Sequence, residues 1–221
     1  MSVKLISYSQ PEREFGKVSL PLDLVAYCAK VSNPANQDKM DTAPKLIKYL
    51  IDNNHWSPFE MVSVCMEITT TRDIARQILR HRSFSFQEFS QRYADPAALG
   101  EQYVPREARL QDNKNRQNSI ETEDEQLKAR WLIEQQRVYN MSMEAYTWAV
   151  SNGIAKEQAR AVLPEGNTKS RLYMNGTLRS WIHFVQLRSA NGTQKEHQKI
   201  AVDAGWIIND LYGINIFNLD S

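Results

Sequence analysis

The sequence predicts an α+β fold, a single helix-rich domain over residues 1–221 around a modest central sheet. Apolar residues recur at helical spacing along most of the chain, and residues 61–69 (MVSVCMEIT) interrupt them with strict alternation. A chain of 221 residues with 42% hydrophobic and 24% charged content is long enough for one large core and ordinary for a globular protein. Neither repeats nor low-complexity tracts occur.

Residues 22–31 (LDLVAYCAKV) read as a helix with Leu24, Val25, Cys28 and Val31 on one side. Thr42 to Asn53 reads as the next. Thr42 can cap it, Pro44 suits its first turn, and Leu46, Tyr49 and Leu50 repeat at helical spacing. Asn54 to Pro58 is a turn. In the alternating run, Val62, Val64, Met66 and Ile68 point one way, and Ser63, Cys65, Glu67 and Thr69 the other, as in a strand. Thr71 then caps a helix to about Leu79. Residues 94–120 are polar and irregular, an excursion expected to order against a ligand or partner. Residues 122–151 form one long helical pattern stopped by Asn152-Gly153. Its apolar side holds Leu127, Trp131, Val138, Met141, Tyr146 and Val150, and its length suggests packing against another subunit. Ala155 to Leu163 is a short helix ended by Pro164, residues 165–167 are a turn, and Arg171 to Met174 is a short strand. Leu178 to Leu187 and Lys195 to Leu211 are helices, with Gly213 closing the last.

Composition excludes several classes. The net charge of +1, from 27 basic and 26 acidic residues, argues against a general nucleic-acid binder. No apolar run is long enough to cross a bilayer, and the first residues lack the apolar stretch of a signal peptide. Cys28 and Cys65 allow at most one disulfide and no metal site by themselves, so a reduced, cytoplasmic setting is expected.

Chemistry concentrates in residues 80–93 (RHRSFSFQEFSQRY). Arg80, His81, Arg82 and Arg92 surround Glu88 and Ser90, and guanidinium forks grip phosphate with paired hydrogen bonds. Phe84, Phe86 and Phe89 interleave with them, so the segment is expected to be partly buried, with partners for its guanidiniums. Arg72 and Arg76, on the preceding helix, read as an ordinary solvated face. Interleaved Arg and Phe also suit a protein that stacks bases without catalysis. Ser90 has no base placed on it by the sequence and reads as a ligand-binding hydroxyl. Neither cysteine has a basic cluster nearby to make it a nucleophile.

Four ordered segments resemble the flavin-dependent thymidylate synthases. They are Asn54-His55-Trp56-Ser57-Pro58-Phe59-Glu60; the Arg80-His81-Arg82 run with Ser90, preceded by Ala75-Arg76-Gln77; Gln158-Ala159-Arg160-Ala161-Val162-Leu163-Pro164; and residues 178–188 (LRSWIHFVQLR), followed by Gln194-x-Glu196. Residues 28–32 (CAKVS) look like a further family stretch. The resemblance implies conversion of dUMP to dTMP, with methylenetetrahydrofolate as one-carbon donor and NADPH as reductant through FAD. It also implies a homotetramer with shared active sites, no bound metal, and neither nucleic acid nor membrane as partner.

Roles follow from the same resemblance. Arg80, His81 and Arg82 match a flavin-facing trio, with Arg80 also reaching the nucleotide. Glu88, Phe89, Ser90, Gln91 and Arg92 match the loop around dUMP, Glu88 also on the flavin side. Gln77 and Arg160 match further dUMP contacts. Ser57 matches a flavin contact supplied by a neighbouring subunit, and Thr177, Arg179 and His183 match flavin positions on the late helix. Arg188 matches the catalytic arginine beside the uracil N3, and His55 a histidine of the folate or flavin steps. Arg179, His183 and Arg188 do not share one helical stripe. The chain departs from the family pattern at Gln87, Thr177 and Gly192, and in residues 164–171. A flavin oxidoreductase that methylates nothing is the alternative within the same family.

Overall fold

The computed structural model describes residues 1–12 and 17–218. Four antiparallel strands form the main sheet in the order β1-β2-β6-β3. They are β1 (Ser2–Tyr8), β2 (Ser63–Thr71), β3 (Phe84–Glu88) and β6 (Lys169–Thr177). Val64, Met66 and Ile68 of β2 lie opposite Gly176, Met174 and Leu172 of β6, and Phe84 and Phe86 of β3 continue that face. All of the β2 and β6 residues on it are buried. The opposite face is polar: Tyr173 Oη donates to a Glu67 carboxylate oxygen at 2.9 Å, with Arg171 at 3.8 Å from the same carboxylate. A sheet with one apolar and one polar face produces the alternation seen in 61–69.

The helices cover the apolar face. They are α1 (Pro21–Ala29), α2 (Ala43–Asp52), α3 (Arg72–Ile78), α6 (Leu178–Ser189) and α7 (Lys195–Tyr212). Trp181, Ile182, Phe184 and Val185 of α6 share the core with Ile200, Ala201, Ala204 and Ile208 of α7. Trp181 is fully buried, and its indole N–H is satisfied by the Val64 carbonyl at 2.9 Å. The long helix α4 (Glu125–Ser151) starts at Asp124, whose carboxylate accepts the Leu127 N–H at 2.9 Å. It buries Gln135, Tyr139, Tyr146 and Ala149. Tyr146 and Ala149 form a second, small core with Ala159 and Leu163.

Several expectations need correction. β1 carries no strand signal in the sequence: it does not alternate, and Leu5 and Ile6 of this edge strand are exposed. β3 occupies part of the segment read only as a ligand loop; its Phe-x-Phe alternation is the strand signal. The strand foreseen at 171–174 is nine residues long, its ends masked by Lys169, Ser170 and Asn175 to Thr177. The excursion 94–120 contains order of its own: β4 (Arg109–Gln111) pairs with β5 (Ser119–Glu121). Their turn is held by Asp112, which accepts from the backbone N–H groups of Lys114 (2.7 Å) and Asn115 (3.2 Å) and from the Asn118 side chain (3.1 Å). Three-residue strands carry too little alternation to read. The helix expected over 155–163 is α5 (Lys156–Ala159) followed by a 3-10 turn at Arg160–Val162. On α4, Leu127, Trp131, Val138 and Met141 are exposed, so only the last part of the apolar side read from sequence, Tyr146 and Val150, faces this chain's own second core.

Gly176 is where β6 lets the Phe84 ring lie over its backbone, and a Cβ there would overlap that ring. The ring is boxed by Trp181 at 4.9 Å and Phe184 at 6.0 Å between centroids, so it cannot swing aside freely. Gly176→Ala is expected to cost about 1–3 kcal/mol, read as a lower urea midpoint. An unchanged midpoint would show that the ring yields.

Candidate active site

Both strand-to-helix junctions lack a loop. Thr71 ends β2 and begins α3; Thr177 ends β6 and caps α6, its hydroxyl accepting the Ser180 N–H at 3.3 Å. Thr177 is therefore engaged in capping. Ser180 Oγ also donates to the Ser83 carbonyl at 3.3 Å, tying the start of β3 to α6.

One cluster joins α3, α6 and α7. Arg188 Nε donates to His81 Nε2 at 3.0 Å. Gln77 Nε2 donates to Gln194 Oε1 at 2.8 Å, and Gln77 Oε1 lies 3.3 Å from His197 Nδ1. The His81 ring packs edge-on against Phe184 at 5.0 Å and lies 6.2 Å from the His197 ring. Burial, and secondarily the Arg188 charge, push the His81 pKa down to about 4. Burial, Arg188 and His81 push His197 down to about 4 as well. Among the described residues, no carboxylate lies within ion-pair distance of Arg188.

A second cluster lies at the turn after α2. His55, Trp56, Ser57, Pro58 and Arg179, with Ala29 and Leu50 behind them, line a cleft of about 560 Å³. Asn54 enters the turn with a φ of 57°, a left-handed conformation asparagine tolerates. Arg179 pairs with Glu60. Trp56 meets His183 edge-on at 4.9 Å, and His55 meets Tyr49 at 5.9 Å. Burial, then Arg179, lowers the His183 pKa. Arg179 and His183 thus share a face of α6 while Arg188 points elsewhere, in keeping with their spacing.

The remaining candidates lie along β3 and the turn after it. Glu88 falls on the inward face of β3, where a lone carboxylate would be costly. Ser170 Oγ donates to it at 2.9 Å, and Arg72 lies at 3.9 Å. The Phe89 N–H donates to the Arg171 carbonyl at 2.8 Å. Ser90 opens a turn, its carbonyl accepting from Tyr93 and Ala94, both at 3.2 Å. Gln91 is buried, and Arg92 reaches Glu157 at 3.4 Å, which sets α5 and Arg160 beside the turn. Arg80, Arg82 and Arg92 are exposed. The expectation of buried guanidiniums in 80–93 is therefore corrected: Phe84, Phe86 and Gln91 turn inward, and the cations face water. Arg72 is corrected in the opposite sense. Its side chain is 12% exposed between Glu88 and Glu165 (3.6 Å), while Arg76 forks onto Glu165 and holds that carboxyl below its usual range.

A larger cleft, about 650 Å³, lies beside the β4–β5 hairpin and holds none of the expected ligand residues. Arg106 and Arg109 on its wall are matched by Asp73 (2.7 Å from Arg106) and Glu196 (2.5 Å from Arg109). Cys28 and Cys65 are free, and burial raises both thiol pKa values, as expected for non-nucleophiles.

Residues 17–211 match the model of the thymidylate synthase complementing protein family. The chain belongs to that family. It is 50% identical over 201 residues to a probable flavin-dependent thymidylate synthase of Paramecium bursaria Chlorella virus 1, covering 91% of this chain and 90% of the relative. Identity to the flavin-dependent thymidylate synthase of Synechocystis sp. is 49% over 205 residues, 92% of each chain. The crystal structure of a UMP/dUMP methylase, PolB from Streptomyces cacaoi, bound with 5-Br dUMP superposes with a TM-score of 0.80 at 28% identity, over 98% of this chain and 93% of that one.

In this family member, His197 lies outside the four matched segments, and sequence reasoning gives it no role. It is fully buried and touches Gln77. The available signal was its place on the apolar stripe of α7, ahead of Ile200, Ala201, Ala204 and Ile208. The two catalytic candidates, His55 and Arg188, fall in different clusters.

His81 binds a proton less readily folded than unfolded. Its stabilising contribution is therefore complete above pH 6.5 and is lost as pH falls toward 4. The gap in melting temperature between the wild type and His81→Gln is expected to shrink from pH 7 to pH 4.5. A constant gap would place the His81 pKa near its ordinary value.

Proposed function

We propose that this chain, as a single domain, is a flavin-dependent thymidylate synthase that methylates dUMP at C5 to dTMP. Methylenetetrahydrofolate supplies the carbon and leaves as tetrahydrofolate, and NADPH leaves as NADP⁺. FAD, when bound, relays the hydride from NADPH to the pyrimidine.

The observation that carries this reading is Arg188. The largely buried Arg72 and Arg106 side chains are each matched by carboxylates, whereas the partner of Arg188 is a neutral imidazole. Its charge stays available to an anion. Set beside the uracil N3, it would stabilise negative charge on the ring as the pyrimidine is activated. His81 orients it by accepting the Nε proton, leaving the outer guanidinium nitrogens for substrate. Because burial keeps His81 neutral, this support adds no competing cation.

Gln77 adjoins the same cluster and is read as a dUMP contact. Glu88 to Arg92, with Arg160 beside them, are read as the rest of the nucleotide site, where the exposed fork of Arg92 suits the phosphate. The cleft at His55 and Ser57 has aromatic and apolar walls from Trp56, Leu50 and Pro58, with Arg179, paired with Glu60, beside them. That combination suits a flat heteroaromatic ligand, which fits FAD, with Arg80, His81, Arg82, Thr177, Arg179 and His183 read as flavin positions. His55 is read as serving the folate and flavin steps. The exposed Ser57 and the apolar outer side of α4 support a homotetramer in which Ser57 serves a neighbour's flavin. No helix among the described residues is long and apolar enough to cross a membrane.

The decisive experiment is tritium release from dUMP labelled at C5, under low oxygen, with FAD, NADPH and methylenetetrahydrofolate, each omitted in turn. Release that requires all of them is expected. NADPH consumption without release would leave a flavin oxidoreductase.

Two variants separate the roles. Arg188→Ala should lower kcat by roughly 10²-fold or more with FAD still bound. Arg92→Ala should mainly weaken dUMP binding, by about tenfold. Normal turnover in the first, or unchanged dUMP affinity in the second, would remove that residue from its role.

A further inference from the structure

We propose that Gln194 and His197, at the start of α7, are positioning residues that fix which way the Gln77 amide faces the nucleotide. The inference rests on the reading of Gln77 as a dUMP contact. A glutamine amide has two nearly equal orientations, and a binding site needs one of them. Here each end is specified. Gln77 Nε2 donates to Gln194 Oε1 at 2.8 Å, and Gln77 Oε1 faces His197 Nδ1 at 3.3 Å. The tautomer that fits carries its proton on Nδ1. His197 Nε2, which is buried and without a partner, is then a bare acceptor and not a stranded donor.

The turn that carries both residues is anchored from its other side. Lys195 Nζ reaches Glu107 at 3.0 Å and Glu121 at 2.6 Å. Glu196, 11% exposed, pairs with Arg109 at 2.5 Å and with Arg106 at 3.6 Å. Four consecutive residues thus divide their attachments: Gln194 and His197, the outer two, hold Gln77, while Lys195 and Glu196 between them hold the hairpin segment. The neighbours of His197 are aromatic, with Phe184 at 5.7 Å and His81 at 6.2 Å between ring centroids. A ring needed only for packing would tolerate phenylalanine there.

The test measures dUMP affinity on the FAD-bound enzyme for His197→Phe, His197→Asn, Gln77→Ala, Gln194→Leu and the double variant Gln77→Ala/His197→Phe. Phenylalanine keeps the ring and removes the donor; asparagine keeps a donor at the Nδ1 position and removes ring volume. His197→Phe and Gln194→Leu are each expected to raise the dUMP Kd about three- to tenfold, the loss of one hydrogen bond. His197→Asn should stay within about twofold of wild type. In the Gln77→Ala background, His197→Phe should add nothing. Weaker binding by His197→Asn than by His197→Phe would indicate packing and overturn the proposal, as would additivity in the double variant. If Gln77→Ala weakens binding while His197→Phe and Gln194→Leu do not, the proposal fails and the reading of Gln77 stands. If Gln77→Ala is silent, that reading fails and takes the proposal with it. Should His197→Phe not fold, Gln194→Leu with its own Gln77→Ala double variant carries the same comparison.

Discussion

Nine consecutive antiparallel pairs join β2 to β6, from Ser63 opposite Thr177 to Thr71 opposite Lys169. The candidate site hangs from the two ends of that ladder. At one end the chain passes directly into α3, which carries Gln77; at the other it passes into α6, which carries Arg179, His183 and Arg188. With no loop at either junction, a slip of one residue would rotate both helices. It would also turn Val64, Met66 and Ile68 to the open face and bring Glu67 into the core. The register is held where it matters: the Trp181 indole grips the Val64 carbonyl, and Gly176 admits the Phe84 ring. The same contacts that stabilise the sheet therefore set the reach of the site residues.

Electrostatics divide the arginines into two kinds. Arg72, Arg76, Arg106 and Arg109 are matched by Glu88, Glu165, Asp73 and Glu196, and these pairs bind β3, the turn before β6 and the segment before the hairpin to α3, and the hairpin to α7. Their charge is neutralised within the fold, so they serve as fasteners. Arg188 is braced by an imidazole that burial keeps neutral, so its position is fixed without cancelling its charge. Preorganised charge of this kind is what a reaction that builds up an anion requires. It costs the fold the desolvation of two histidines, which is the origin of their acid sensitivity.

The elements with a long buried face or a clear stop were legible in the sequence. β2 alternates, α7 has an apolar stripe, and α4 ends at Asn152-Gly153. What escaped were elements whose signal is short or whose face is not buried within this chain: edge strand β1, the three-residue strands β4 and β5, and the polar ends of β6. At the site, motif resemblance named the residues but not their neighbours. Spacing alone separated Arg188 from Arg179 and His183, and the structure bears that out. The pairing of His81 with Arg188, 107 positions apart in sequence, could not be read from periodicity. His197 was missed because one histidine among apolar residues has no motif, and its meaning lies in what it touches.

The distribution of exposed apolar residues bears on how the site is completed. Leu127, Trp131, Val138, Met141 and Trp148 are exposed along one side of α4, and this helix buries only a narrow stripe against its own chain. At about 25 cal/mol per Å², leaving that many large side chains in water is costly, and concentrated patches of this kind mark interaction surfaces. Within one chain, the His55–Ser57 cleft and the Arg188 cluster are built by different elements and hold separate groups of candidate ligand residues. A reading in which copies pack through such surfaces accounts for both facts together. It covers the outer side of α4, and it lets the turn at Ser57 from one copy close a site whose exposed Arg80 and Arg82 belong to another.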